Sequence, residues 1–218
     1  MEALQPDEGR LLLINKPLEW TSFDVVNKLR YKLKVKKIGH AGTLDPLATG
    51  LLIICVGKMT KRIDEYMGLE KEYTGTFTIG QTTPSYDLET EPGEKQSIDH
   101  LTVDEIKNAV HPFIGKIAQI PPLHSAIQIG GKRAYSFARK GETVELKPRD
   151  VEVHEFEITS INLPEVNFRV VCSKGTYIRS LARDYGEALG VGAYLSRLCR
   201  TRIGSFSLEN ALTIEDVA

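Results

Sequence analysis

Several short segments of the chain are continuously apolar or alternate between apolar and polar residues, a pattern typical of β-strands. The first of them, Arg10–Asn15, ends at Lys16-Pro17 and therefore predicts a buried strand followed by a turn. The further predicted strands are Leu51–Val56, Tyr73–Ile79, Ser125–Ile129, Val151–Ile161, Val166–Cys172 and a last one near Leu198–Phe206. The tetrapeptide Asn162–Glu165 between two of them predicts a hairpin.

Other segments carry apolar residues at helical spacing or a helix-start signal. Thr21-Ser22 can cap the first helix, and Thr102 with Glu105 forms the capping-box pattern of a later one. The predicted helices cover Phe23–Leu33, Lys58–Met67, Thr102–Phe113 and Thr176–Leu189, and residues 82–98 are polar enough to predict a long loop. Strands and helices do not alternate regularly, so the pattern predicts an α+β protein with a largely antiparallel sheet.

Composition and the first residues narrow the class of protein. Of the 218 residues, 41% are hydrophobic and 26% charged, as in ordinary soluble domains. No apolar run approaches the roughly 20 residues that span a bilayer. The N-terminal sequence MEALQPDEGR lacks the layout of a signal peptide, so we expect a cytoplasmic protein without a membrane span.

The cysteines and histidines give no metal-binding pattern. Cys55, Cys172 and Cys199 are far apart and form no CxxC pair, and the five histidines are scattered. We therefore expect buried, reduced thiols, without a disulfide framework or a zinc site.

Charge is unevenly distributed although the net charge is only −1. Residues 28–37, KLRYKLKVKK, carry six basic side chains, a second basic group lies late in the chain at positions 174–202, and acidic residues collect in 85–105. Such a distribution can present a basic face to phosphates. The alternative is that each cluster is only a solvated helix or loop face.

The segment 39–52, GHAGTLDPLATGLL, places one carboxylate, Asp45, in a glycine-rich turn before an apolar strand. Six residues separate Gly50 from Gly57-Lys58 where a phosphate-binding P-loop has four, and they are apolar, so a nucleotide-binding loop is excluded. Pro46 restricts Asp45 to an extended conformation, which suits a fixed nucleophile or base. The alternative is that Asp45 merely caps a turn.

This segment resembles the catalytic motif of the TruB family of tRNA pseudouridine synthases over fourteen residues. Further segments follow in the family's order: Asn15-Lys16-Pro17 with Thr21-Ser22, Lys71-Glu72-Tyr73 with Gly80, 119–126 with 131–135 and Ala138-Arg139, 172–181, and 198–206. Several ordered motifs together are far more specific than any one alone. The resemblance covers about residues 10–216 and implies a pseudouridine-synthase fold, α+β with a mixed, mainly antiparallel central sheet flanked by helices.

The resemblance also implies an activity. It indicates an isomerase that converts uridine 55 in the T-loop of tRNA to pseudouridine on a flipped-out base, without metal or cofactor. Residues 1–218 would form a single catalytic domain, and since few residues follow Phe206 we expect no C-terminal RNA-binding domain of the PUA type. The expected partner is the T-arm stem-loop of tRNA, with no membrane and no obligatory protein partner, and the expected state is a monomer.

Residue by residue, the resemblance assigns roles. Asp45 would be the nucleophile, attacking either C1′ of the ribose or C6 of the base. Arg179 would pair with Asp45 and keep it ionised, and Tyr73 would stack on the flipped uracil and help remove the C5 proton. The residues expected to contact the substrate are His40, Leu198, Tyr177, Lys16 and Asp87.

Two departures and two alternative functions stay open. Gln128 stands where the family usually has a lysine, which would remove one phosphate contact. Pro84 replaces an acidic residue in the loop Thr83–Asp87, which would change how this loop closes. The alternative functions are a tRNA-binding folding factor with secondary catalysis, and an RNA-guided pseudouridine synthase of the kind that works with partner proteins.

Overall fold

The structure is a computed structural model, and it describes residues 9–125, 128–129, 132–133, 144 and 146–217. Its contacts divide the chain into two compact units. The first unit comprises Met1–Thr74 and Arg197–Ala218, and the second comprises Gly75–Ser196. The prediction of a single domain over residues 1–218 is not tested by this division and stays a prediction.

The described residues form strands, four α-helices and short 3₁₀ turns. The strands are β1 Arg10–Lys16, β2 Ile38–His40, β3 Ala48–Val56, β4 Lys71–Ile79, β5 Gly115–Gln119, β6 Gln128–Ile129, β7 Lys132–Arg133, β8 Arg149–Asn162, β9 Glu165–Cys172, β10 Ala193–Ile203 and β11 Phe206–Ser207. The α-helices are α1 Ser22–Leu33, α2 Ile63–Gly68, α3 Val103–Asn108 and α4 Ile178–Ala188, and the 3₁₀ turns are Gly57–Arg62, His111–Phe113 and Leu208–Asn210. None of the helices in the described ranges is long and apolar enough to cross a membrane.

Strand β3 is the centre of the first unit. One edge pairs antiparallel with β1, from Arg10 opposite Val56 to Lys16 opposite Gly50. The other edge pairs antiparallel with β2 and, near its start, parallel with β10 at Leu198–Arg200.

Both faces of β3 are covered. Leu52, Ile54 and Val56 pack with α1, whereas Leu51, Ile53 and Cys55 pack with Tyr66 of α2. Burial of alternate residues on opposite faces explains why this strand is a continuous apolar run.

The second unit is built on an antiparallel arrangement of β5, β8 and β9, with β4 beside β9. Its core is aromatic: the Phe77 ring stacks on Phe168 with centroids 4.1 Å apart and lies 5.3 Å from the ring of Tyr185 in α4. The Tyr185 hydroxyl donates to the carbonyl of Ile106 at 2.9 Å, which fixes α4 to α3. These contacts hold the helix that begins with Ile178 and Arg179.

The α+β class and the mixed, mainly antiparallel sheet are confirmed, and most predicted elements are present. Thr21 caps α1 with Asp24, Thr102 caps α3 with Glu105, and β8 and β9 form the expected hairpin. The predicted strand Ser125–Ile129 is partly described, since residues 126 and 127 lie outside the described residues.

Several boundaries differ from the prediction because tertiary pairing overrides local pattern. Strand β3 begins at Ala48, within the segment that was expected to be loop, because β10 pairs with it there. Strand β5 was not predicted, since its short sequence GKIAQ becomes a strand only by pairing with β8. Helix α3 ends at Asn108 rather than Phe113, and the chain continues as a 3₁₀ turn that contains Pro112.

Candidate active site

The Asp45 loop, residues 41–47, connects β2 to β3 in the first unit and leaves Asp45 half-buried. Its backbone is fixed on both sides of the carboxylate. The hydroxyl of Ser22, the first residue of α1, accepts a hydrogen bond from the Leu44 N–H at 2.9 Å and donates to the Leu44 carbonyl at 3.2 Å. The Ala48 N–H donates to the Asp45 carbonyl at 3.1 Å. Asp45 therefore projects from a defined turn and not from an extended, unpaired loop.

Lys16 holds the loop from the side of β1. Its side chain is 0% exposed, and Nζ donates to the carbonyls of Pro17, Trp20 and Pro46 at 3.0, 2.5 and 3.3 Å. Burial lowers the pKa of Lys16 to about 8, while the nearby Asp45 carboxylate acts in the opposite direction. Since Nζ is turned onto backbone carbonyls, this geometry favours a positioning role over the substrate contact expected from the sequence.

Arg200 also holds the loop, at residues 42 and 43, which precede Asp45, and the sequence motifs assigned it no role. The residue is 1% exposed, and its guanidinium donates to the carbonyls of Leu51, Thr43 and Gly42 at 2.8, 3.4 and 3.1 Å. Two of these carbonyls belong to the Asp45 loop and the third to β3. Arg200 thereby fixes the distance between the loop and the strand that follows it.

Gly50 permits the close approach of β10 that brings Arg200 to the loop. Its φ is +103°, and a Cβ at this position would lie 2.4 Å from the Arg200 carbonyl oxygen. Only glycine fits such a position. In the sequence, the role of Arg200 was indicated only indirectly, by the glycine at position 50. The need for a glycine there becomes clear only from the pairing of β3 with β10.

The remaining predicted residues of the first unit are His40, Tyr73 and Leu198. His40 ends β2, and burial together with the charge of Arg200 lowers its pKa, which favours the neutral imidazole. Tyr73 is buried in β4, and Leu198 pairs with Ala48, three residues after Asp45. The first unit thus contains Lys16, His40, Asp45, Tyr73 and Leu198.

The second unit holds Arg179 in a buried polar pocket. Its Nη1 donates to the carbonyl of Ser85 at 3.3 Å and its Nη2 to that of His124 at 2.8 Å. Its Nε lies 3.4 Å from Oδ2 of Asp87, and both side chains are almost completely buried. A buried guanidinium with charge-assisted contacts on several sides has a fixed orientation.

Asp87 is in turn fixed by the loop around it, residues 83–90. The Glu89 N–H donates to its Oδ1 at 3.0 Å, and the hydroxyls of Thr83 and Ser85 donate to its carbonyl at 2.7 and 3.1 Å. The long loop predicted over 82–98 is therefore ordered near Arg179. The replacement at Pro84 leaves the Asp87–Arg179 contact in place.

Tyr177 precedes α4 and is positioned by Gln119 of β5. The buried Gln119 amide accepts from the Tyr177 N–H at 2.8 Å and donates to the Tyr177 carbonyl at 3.1 Å. This two-point contact defines where α4 begins, and with it the position of Arg179. Gln119 is a second residue for which sequence reasoning gave no role.

Asp87, Tyr177 and Arg179 thus belong to the second unit. The predicted pairing of Arg179 with Asp45 involves one residue of each unit and stays a prediction. Ala134-Tyr135 and Ala138-Arg139 of the motif at 119–139 lie outside the described residues, and so does the Gln128 side chain. In the part of the chain that the structure describes, no cluster of His, Cys, Asp or Glu is placed to hold a metal ion.

Comparison with known families gives two matches that together span most of the chain. Residues 30–178 match the TruB family pseudouridylate synthase N-terminal domain, and residues 179–218 match the tRNA pseudouridylate synthase B C-terminal domain. Similar curated proteins are the tRNA pseudouridine synthases B of Flavobacterium johnsoniae and Phocaeicola vulgatus, each 56% identical over 214 residues. The matches cover 95% of this chain in both cases, and 93% and 91% of the relatives.

Solved structures agree with this placement. One chain of a Cbf5–Nop10–Gar1 complex superposes with a TM-score of 0.75 at 32% identity, over 97% of this chain and 54% of that one. A structure of a pseudouridylate synthase at 16% identity superposes with a TM-score of 0.51 and supports the fold alone. The family resemblance predicted from the sequence motifs is confirmed.

Proposed function

The chain belongs to the TruB family of pseudouridylate synthases, and we propose that it isomerises uridine 55 in the T-loop of tRNA to pseudouridine. The observation that carries this proposal is the Asp45 loop, in which Lys16 and Arg200 fix the backbone on both sides of one half-buried carboxylate. Positioning of this kind is what a nucleophile requires. The enzyme class is an isomerase acting on RNA.

The reaction rearranges one nucleotide and consumes no second substrate. The glycosidic bond from N1 to C1′ breaks, the uracil rotates, a bond from C5 to C1′ forms, and the proton on C5 is replaced by one on N1. Asp45 would attack C1′ or C6 and leave again when the new bond forms. The change is redox-neutral.

Arg179 and Tyr73 complete the proposed chemistry. The buried Arg179 guanidinium would hold the Asp45 carboxylate ionised, while Asp87 and two carbonyls fix its orientation. Tyr73 would stack on the uracil and assist removal of the C5 proton. His40, whose lowered pKa favours the neutral form, suits packing against extruded bases more than pairing with phosphate.

The remaining parts of the substrate site follow from the same assignment. Leu198 would pack against the uracil, and Tyr177 would contact the nucleotide from the start of α4. The T-arm stem-loop would suffice as partner, with the enzyme acting in the cytoplasm as a monomer and without an obligatory protein partner. The relatives with 56% identity are named tRNA pseudouridine synthase B, which supports tRNA as the substrate.

The test is tritium release from tRNA that carries tritium at C5 of uridine. The wild-type protein should release tritium and yield pseudouridine at position 55, while Asp45→Asn should release none and still bind tRNA within a few-fold. The matched control is Asp64→Asn, which changes an exposed carboxylate of α2 in the same unit and should leave release unchanged.

Two outcomes would contradict the proposal. Failure of the wild-type protein to release tritium from tRNA that it binds would support the alternative, a tRNA-binding folding factor. Loss of both binding and activity in a folded Asp45→Asn variant would make Asp45 a structural residue.

A further inference from the structure

An open groove of about 560 Å³ lies on the first unit, between the exposed face of α1 and the segment that follows β1. We call it the Trp20–Tyr31 groove, and its lining residues are Glu19, Trp20, Asp24, Asn27, Lys28 and Tyr31. The last four are spaced i, i+3, i+4 and i+7 on α1 and therefore form one helix face. None of them has a place in the chemistry proposed at Asp45.

Aromatic residues on this side of α1 are unusually accessible. Tyr31 is 88% exposed, and Phe23 on the same helix is 60% exposed. A tyrosine side chain that is this exposed contributes little to folding, whereas the flat face of its ring can stack on a nucleobase. Trp20, the only tryptophan of the chain, lines the groove beside it.

The chain that continues from the groove is rich in exposed lysines, while the lining of the groove itself holds one lysine, Lys28, and two carboxylates, Glu19 and Asp24. Lysines 28, 32, 34, 36 and 37 are all exposed, and they surround Tyr31 in the sequence KLRYKLKVKK. Lysines interleaved with exposed aromatic rings are typical of surfaces that bind single-stranded nucleic acid, since the lysines follow the phosphates and the rings stack on the bases.

One side of the groove is acidic. This negative charge determines which part of a nucleotide can bind there. The exposed Glu19 carboxylate can accept a hydrogen bond from an exocyclic amino group of a base, and together with Asp24, whose carboxylate accepts from Thr21 at the start of α1, it would repel a phosphate. The groove therefore suits an unpaired base, with its phosphates directed toward the lysines.

The groove is physically connected to the Asp45 loop. The Glu19 N–H donates to the Pro46 carbonyl at 2.8 Å. Lys16 Nζ donates to the carbonyl of Trp20 as well as to that of Pro46. An RNA bound at Asp45 thus has a neighbouring surface on the same rigid part of the first unit.

We propose that the Trp20–Tyr31 groove binds an unpaired nucleotide of the tRNA substrate outside the reacting uridine, with its base stacked on Tyr31 and its phosphates against Lys28 and the lysines that follow. The inference rests on the proposed function only in naming tRNA as the occupant. The groove contributes affinity and no chemistry.

The experiment uses the full chain, an unmodified tRNA transcript and Trp20 fluorescence as a local reporter. Tyr31→Ala should weaken tRNA binding about fivefold or more, Tyr31→Phe should bind like wild type, and Lys28→Gln should lower the salt dependence of binding by about one ion. The matched control for charge is Lys107→Gln in α3, an exposed lysine next to acidic residues, which should change neither quantity. The rate at saturating tRNA should be unchanged in all four variants.

Titration with tRNA should change the Trp20 emission in the wild-type protein and in Asp45→Asn, and the change should shrink in Tyr31→Ala. A polyphosphate of similar charge should leave the emission unchanged, since it offers no base. Wild-type affinity in Tyr31→Ala would overturn the proposal. Concentration-dependent association of the wild-type protein that Tyr31→Ala abolishes, with tRNA binding intact, would make the groove a self-association surface instead.

Failure of this proposal and failure of the proposed function are distinguishable. If the wild-type protein releases no tritium, the function fails, while binding and fluorescence still report on the groove. If it releases tritium and Tyr31→Ala binds tRNA normally, only the groove proposal fails.

Discussion

Lys16 Nζ donates to the carbonyl of Pro46, 3.3 Å away and thirty residues on, and so fixes the residue next to Asp45 to the end of β1. The same ammonium group also bonds the carbonyls of Pro17 and Trp20. One buried side chain therefore connects β1, the segment before α1 and the Asp45 loop. The first two predictions follow from this connection.

Replacement of Lys16 should destabilise the protein and misplace the Asp45 loop. Lys16→Met fills a similar volume but leaves three carbonyls without their hydrogen-bond donor. We expect this to lower the free energy of unfolding by about 2–4 kcal/mol. We expect that loss in chemical denaturation, together with a lower single-turnover rate at saturating tRNA. The control is Lys28→Met, an exposed lysine, whose stability should change by less than about 0.5 kcal/mol. Wild-type stability in Lys16→Met would show that the carbonyls find other donors.

The pKa of Lys16 predicts how stability varies with pH. Burial lowers it from 10.5 to about 8 in the folded protein, so between these values the unfolded chain binds the proton more tightly. The free energy of unfolding should therefore rise with pH from about 8 to 10.5, by at most about 1.4 kcal/mol per unit, relative to Lys16→Met. Denaturation of both proteins across this range measures the difference, and a difference independent of pH would contradict the assignment.

Arg200 should be required for turnover more than for binding. Its guanidinium reaches three carbonyls from one position, and a lysine ammonium cannot reproduce this geometry. We expect Arg200→Lys to lower kcat about 10- to 100-fold with little change in KM, since misplacement of the Asp45 loop affects the reacting geometry. Single-turnover kinetics on the folded fraction, checked by circular dichroism, measure it. Full activity in Arg200→Lys would mean that charge alone is sufficient.

Gly50 should tolerate no side chain. A Cβ there would lie 2.4 Å from the Arg200 carbonyl oxygen on a backbone with positive φ, so Gly50→Ala should cost at least about 3 kcal/mol. The control is Gly190→Ala, where φ is also positive but no atom lies within 4 Å of the added Cβ, and the cost should be about 1 kcal/mol. Thermal denaturation compares the stabilities of the two variants. Equal losses of stability would mean that backbone strain, and not the close contact with Arg200, causes the whole effect.

The negative charge of Asp87 should be required for stability and for turnover. Asp87→Asn keeps the shape but removes the carboxylate from a buried pair 3.4 Å from Arg179, which should cost about 3 kcal/mol and lower the turnover rate. The control is Glu155→Gln, which removes the partner of Arg169 in an exposed pair of the same unit and should cost less than about 1 kcal/mol. Equal effects of the two substitutions on stability would contradict the importance of burial.

Strands and helices with a local pattern could be predicted from the order of residues alone, and so could the family. The apolar run 51–56, the capping residues Thr21 and Thr102, and the hairpin at 162–165 each carry their own signal within a few residues. The motif around Asp45 was specific because many positions matched together. Such information is present in the order of residues and needs no knowledge of long-range pairing.

The surroundings of those residues depend on contacts that form only in the folded protein. The role of Arg200 depends on β10 lying beside β3, that of Gln119 on its contact with Tyr177, and the burial of Lys16 on the loop thirty residues later. Each involves groups far apart in sequence, whose contact exists only after the chain has folded. The sequence shows which residues are lysines and arginines, but it does not show which of them are buried. Burial depends on how the folded chain packs around each side chain.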